Sequence, residues 1–94
     1  LAGMATELTD LQFDILDALY FVEPFETITA ESGAMPSVAL AELRELISKG
    51  LVQVMRFDEA HQDWVKSLYF DADDLPSFRF LATKEGLLAH NGRR

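Results

Sequence analysis

The sequence predicts a small, mainly helical α+β domain, and three observations predict it. Apolar residues recur at three-and-four spacing in successive segments between Asp10 and Gly50, the mark of helices with one buried side. Alternating runs then follow at 51–57 and 78–83, where β-branched and aromatic residues give strand character. Glycine, proline and hydroxyl residues stand where these patterns change. With 94 residues, 49% of them apolar, the chain supplies one core and not two, so 1–94 is expected to be a single domain.

Residues 1–3 precede Met4 and are read as an extension before the natural start, which leaves 1–8 as an N-terminal tail. Thr9-Asp10-Leu11-Gln12 is a capping box, with Leu8 and Phe13 at the two staple positions. Leu11, Ile15, Leu19 and Val22 form the buried row of this first helix, Leu16 and Tyr20 widen it, and Pro24 is its expected end. Asp10, Asp14 and Asp17 share a narrow arc on the opposite side, where they are solvated or meet a basic partner. The segment 25–32 reads as a second helix with Phe25 and Ile28 inward and Gly33 as its stop.

The third helix is the most strongly marked. Ala39, Leu40, Leu43, Leu46 and Ile47 share one side, Ser37 is the expected N-cap, and Pro36 keeps the preceding chain out of helix. Gly50 can adopt the left-handed conformation that packs Leu51 back on Leu46 in a Schellman arrangement. A strand over 51–57 leaves the helix without a loop. The following stretch, 58–77, is too long to be structureless. A helix over 59–69 would bring Ala60, Trp64 and Leu68 to one face; a strand over 67–70 competes with it and is favoured. After the strand at 78–83, Thr83 caps a short last helix from Lys84 to about His90, with Leu87 and Leu88 turned inward.

A helix that ends in Gly50-Leu51-Val52 and runs into a strand resembles the third helix and first wing strand of winged helix-turn-helix domains. Leu81, Thr83, Lys84 and Gly86 are similar to the Leu-Thr-x-Lys-Gly segment that opens the last helix of MarR-like and PadR-like transcriptional regulators, with Ala82 and Glu85 as extra spacing. The resemblance covers 9–90. It implies a three-helix core, a small antiparallel β wing enlarged at 58–77, and a short C-terminal helix. It also implies a regulator, often dimeric, whose third helix lies in the major groove of DNA.

Charge opposes that function. The net charge is −8, and no lysine or arginine precedes Arg44, while the residues from Arg44 onward balance to zero. The N-terminal half therefore repels a phosphate backbone at long range. On the third helix the buried stripe leaves Val38, Ala41, Glu42, Glu45, Ser48 and Lys49 outward, with Arg44 on the margin; Val38, Ala41, Arg44 and Lys49, with Ser37 at the helix start, are its candidate nucleic-acid contacts. Glu42 and Glu45 stand where DNA readers place donors, although Val38 and Ala41 can touch a thymine methyl. Arg56, Lys66 and Arg79 in the wing, with Arg93 and Arg94 at the end, are the candidate phosphate contacts. The alternative is an acidic winged-helix module that binds a protein, or a second copy of itself, through Trp64, Tyr69 and Phe70. Those aromatics could equally cover the core.

No catalytic, metal or cofactor site is expected. His61 and His90 stand in unrelated elements without metal-ligand spacing, and the glycines are scattered singly. Asp71, Asp73 and Asp74 lack the glycine and glutamate of a calcium-binding EF-hand loop. The chain has no cysteine, which fits a cytoplasmic location. No apolar run approaches the roughly 20 residues needed to span a bilayer, so no membrane partner is expected.

Overall fold

The computed structural model describes residues 7–93, without the side chain of Ala72; most of the expected tail, and Arg94, lie outside the described residues. The elements run α1 (Asp10–Asp17), β1 (Glu23–Pro24), α2 (Phe25–Ser32), α3 (Pro36–Ser48), β2 (Val52–Asp58), β3 (Asp63–Lys66), a 3₁₀ segment (Ala72–Ser77), β4 (Arg79–Ala82) and α4 (Lys84–Arg93). The strands form one antiparallel sheet in the order β1-β4-β2-β3. The α+β class is as expected from the sequence.

Helix α1 starts at the capping box: Gln12 N–H donates to Thr9 Oγ1 and Thr9 N–H to Gln12 Oε1, both at 3.1 Å. It stops at Asp17, well short of Pro24. Beyond it the Leu19 carbonyl accepts the Ala82 N–H at 2.9 Å, and Glu23 and Pro24 pair with Phe80 and Arg79. The sheet thus takes the backbone groups that a longer helix would have used. Ile15, Leu16 and Leu19 remain fully buried.

Helix α2 has the expected bounds and ends at Gly33, whose φ of 73° is the left-handed cap. Helix α3 begins earlier than expected. Met35 is its N-cap and Pro36 takes the first helical position, where a missing N–H costs nothing, so Ser37 lies inside the first turn. At the other end Gly50 has φ 77°, Gly50 N–H donates to the Ile47 carbonyl at 3.0 Å, and Leu51 N–H donates to that of Leu46 at 2.9 Å. These are the two bonds of a Schellman motif.

The long connection is neither a helix over 59–69 nor a strand over 67–70. Strand β3 comes earlier, at Asp63–Lys66, because the chain reverses in a tight turn closed by the Asp58–Asp63 pair. Asp58 Oδ1 accepts the Ala60 N–H at 3.0 Å, and Gln62 adopts a φ of 52° to complete the reversal. After Ser67, whose N–H donates to the Val54 carbonyl at 2.8 Å, the chain leaves the sheet. The 3₁₀ segment then carries Leu75 into the core, where it is 0% exposed.

The core joins Ile15, Leu16, Leu19, Ile28, Leu43 and Leu46 of the helical layer to Val52, Val54, Phe80 and Ala82 of the sheet. Helix α4 closes one side. Thr83 caps it, Oγ1 accepting the Gly86 N–H at 3.0 Å, and it runs on to Arg93. Gly86 lies so close to the helix–strand junction that a Cβ there would stand 2.0 Å from the Leu51 carbonyl oxygen. This approach sets the rotation of α4: Gly86 and His90 face inward, one turn apart, while Leu88, expected inward, is 61% exposed.

Candidate nucleic-acid interface

The exposed surface of α3 begins with Ser37, Val38 and Ala41 and continues to Arg44, Glu45, Ser48 and Lys49. Both of its carboxylates have partners within the chain. Glu42 is half-buried and accepts the Gln12 side-chain amide at 2.9 Å, so the capping box of α1 is tied directly to α3. Glu45 pairs with Lys49 at 3.4 Å, one turn on. Ser37, Val38, Ala41 and Arg44 are exposed on the same side of the helix as Glu45, whose side chain is 54% exposed. The small side chains of Ser37, Val38 and Ala41 permit close approach of another surface to the first turns of the helix.

The pairing register divides the strand residues between two faces. Val52 pairs with Ala82, Val54 with Phe80, Arg56 with Val65 and Asp58 with Asp63, so these share the inner face with Glu23. Gln53 pairs with Leu81, Met55 with both Lys66 and Arg79, Phe57 with Trp64 and Pro24 with Arg79, which places these on the outer face. The candidate phosphate contacts are therefore separated. Arg56 lies on the helix side of the sheet, and Lys66 and Arg79 lie on the far side. Arg79 is held there by the indole, its guanidinium 4.8 Å from the Trp64 ring centroid, and Phe57 meets the same indole edge-on at 5.5 Å.

The hairpin tip between β2 and β3 is acidic, with Asp58, Glu59 and Asp63 around His61. Asp58 and Asp63 are directly opposite, an unfavourable pair of like charges. His61 Nδ1 lies 2.6 Å from Asp58 Oδ2. That hydrogen bond, ahead of those from the Ala60 and His61 backbone, holds the Asp58 carboxyl below its ordinary range. Asp63 turns its own carboxylate onto the Trp64 N–H at 2.8 Å, which blunts the open edge of β3.

Of the aromatics expected at a protein interface, Tyr69 is 90% exposed, beside Leu68 at 76%. Phe70 packs against Phe78, ring centroids 6.2 Å apart. The basic residues in the last turn of α4 are engaged internally. Arg93 donates to the Thr9 carbonyl at 2.9 Å, binds the Asp10 carboxylate and covers the Phe13 ring. His90, buried on α4, stacks on Phe13 at 4.2 Å and has its Nδ1 2.8 Å from the Tyr20 hydroxyl. Its Nε2 stands 3.0 Å from Asp17 Oδ1, close enough for an ion pair but without hydrogen-bond alignment. Asp10 and Asp17 thus each meet a residue of α4 while their side chains stay 93% and 61% exposed, and Arg93 is tied up as a potential phosphate contact. A cleft of about 660 Å³ beside α4 is lined by Leu8, Leu88 and Ala89 with Glu7, Glu85 and Arg93, a set without a nucleophile paired to a base.

Two features escaped the sequence reading. Phe57 could be joined to Trp64 only once the hairpin register was known, and the buried role of His90 follows from the rotation that Gly86 imposes. Among the described residues no helix is long and apolar enough to cross a membrane. No family model, no curated protein and no solved structure matches the chain.

Proposed function

We propose that the chain is a winged helix-turn-helix domain of the kind used by transcriptional regulators, and that it binds double-stranded DNA through α3. The order of elements supports the winged-helix reading: α2 and α3 are joined by residues 33–35 alone, and α3 passes directly into a hairpin. The observation that carries the DNA reading is the exposed start of α3, Ser37, Val38 and Ala41 with Arg44, where the neighbouring carboxylates are each engaged within the chain, Glu42 by Gln12 and Glu45 by Lys49. Val38 and Ala41 offer apolar contact to thymine methyl groups, and Arg44 with Arg56 supplies the charge. Because Glu45 offsets Lys49 and the hairpin tip is acidic, phosphate contacts are few. A cytoplasmic, dimeric regulator fits this reading.

Two phosphate contacts give a shallow salt dependence, about tenfold in affinity between about 50 and 200 mM salt. Titrating the protein with mixed-sequence duplex at both salts measures it. Arg44→Ala is expected to weaken binding and lower the slope of log affinity against log salt by about one. An Arg44→Ala protein that binds duplex as the parent does contradicts the assignment.

A second reading is favoured by one observation. Leu68 and Tyr69 stand largely in solvent at the point where the chain leaves the sheet, and Tyr69 is of the residue type that anchors protein interfaces. On that reading the domain is a protein-interaction module, and Tyr69→Ala abolishes association while Arg44→Ala does not.

A further inference from the structure

We propose that the outer face of the sheet is a docking surface for single-stranded nucleic acid, separate from α3 and independent of the duplex reading. The strands carry carboxylates at Glu23, Asp58 and Asp63, and the register puts all of them on the inner face. The outer face holds Lys66 and Arg79 and no carboxylate, in a chain of net charge −8. The inner face mixes these carboxylates with Arg56, whereas the outer one carries positive charge alone and suits an anion.

The aromatics decide which anion. Lys66 and Arg79 flank Met55 in one cross-strand row, on strands either side of β2 and about 10 Å apart at Cα. Trp64 and Phe57 form the next row, roughly 7 Å further along the strands. Trp64 holds the Arg79 guanidinium against its ring, which fixes a long side chain before any ligand arrives. Phe57 is 40% exposed and offers a ring for stacking. Each nucleotide of a single strand carries a flat base and a phosphate a short distance apart, and that pairing matches the two rows: the base stacks on Phe57 while the phosphate meets Lys66 and Arg79. A duplex hides its base faces, and an acidic peptide has the charge without the flat ring.

Trp64 is the single tryptophan of the chain, so its fluorescence reports on this face. The test is a titration of the protein with oligothymidylate of about 12 nucleotides, within the usual site size of a small single-strand-binding domain. Saturable quenching is expected. Phe57→Ala should weaken binding by about tenfold, the loss of one stacked base. Lys66→Gln should lower the salt slope by about 0.7, the loss of one single-strand phosphate contact. Arg44→Ala should leave the titration unchanged, which separates this surface from α3. Thermal melts establish that each variant is folded, and if Phe57→Ala is not, Phe57→Leu removes the ring while keeping an apolar side chain. The proposal is overturned by an absence of saturable quenching, or by parental affinity in the folded Phe57 and Lys66 variants. It is equally overturned if oligoglutamate of matched charge binds as tightly, which makes the ligand an acidic peptide, or if Arg44→Ala weakens the single-strand complex as much as Lys66→Gln does.

Discussion

The two faces of the sheet are built from alternate residues of the same strands, yet they are buried in different ways. On the inner face, Val54 and Phe80 lose their surface to the helices, as members of one core with Leu43 and Leu46. On the outer face, Met55 is 7% exposed although its cross-strand neighbours on both sides are long basic residues, Lys66 and Arg79. Long side chains cover apolar surface with their stems and keep their charged ends in water. The inner face spends its side chains on stability, and the outer face keeps its charged and aromatic groups available for contact.

Substitutions can break this contrast or sharpen it. The largest effect is expected on the inner face: Phe80→Ala empties a fully buried site and should cost about 4 kcal/mol, measured by denaturant unfolding. Gly86→Ala comes next, at about 3 kcal/mol, because the added methyl cannot coexist with the Leu51 carbonyl and α4 must move away from the junction. Tyr20→Phe leaves His90 Nδ1 buried without its hydroxyl partner and should cost about 2 kcal/mol. On the outer face Lys66→Gln should change stability by no more than about 0.5 kcal/mol. A loss there as large as that of Phe80→Ala would make the outer face part of the core and end the comparison.

The smallest effect concerns the hairpin tip. His61 holds Asp58 in its charged form, so the pKa of Asp58 in the folded chain lies below that in the unfolded chain. Its contribution to the hairpin is present above the unfolded value and is lost as pH falls through the lowered folded value. His61→Ala should raise the Asp58 pKa toward the ordinary carboxylate range. Following the Asp58 carboxyl carbon by NMR across the acid range measures this, and an unchanged titration would remove His61 as the cause.

The sequence was most legible where one residue type has one backbone use. The Thr9 and Gln12 capping box, Gly33 and the Gly50 Schellman motif stand where their chemistry requires, because each satisfies orphan backbone groups within a few residues. The errors came where distant partners decide. Strand β1 exists because β4 pairs with it, and no periodicity can appear in Glu23 and Pro24 alone. The turn at 59–62 contains no glycine, and Gln62 adopts the left-handed conformation instead, so β3 was expected several residues late. Of the candidate surface, the outward residues of α3 could be read from helical spacing. The division of Arg56 from Lys66 and Arg79 could not, because a register fixes it and a one-residue slip would reverse it.

In the proposed binding mode α3, with Arg56, meets duplex DNA while the outer sheet face does not. Backbone amide shifts of isotope-labelled protein, followed by NMR as mixed-sequence duplex is added at about 50 mM salt, a concentration at which phosphate contacts are strong, test it most directly. Ser37, Val38, Ala41, Arg44 and Arg56 are expected to shift together while Phe57, Trp64 and Lys66 stay in place. Shifts confined to Phe57, Trp64 and Lys66, or no shifts at all, would contradict it.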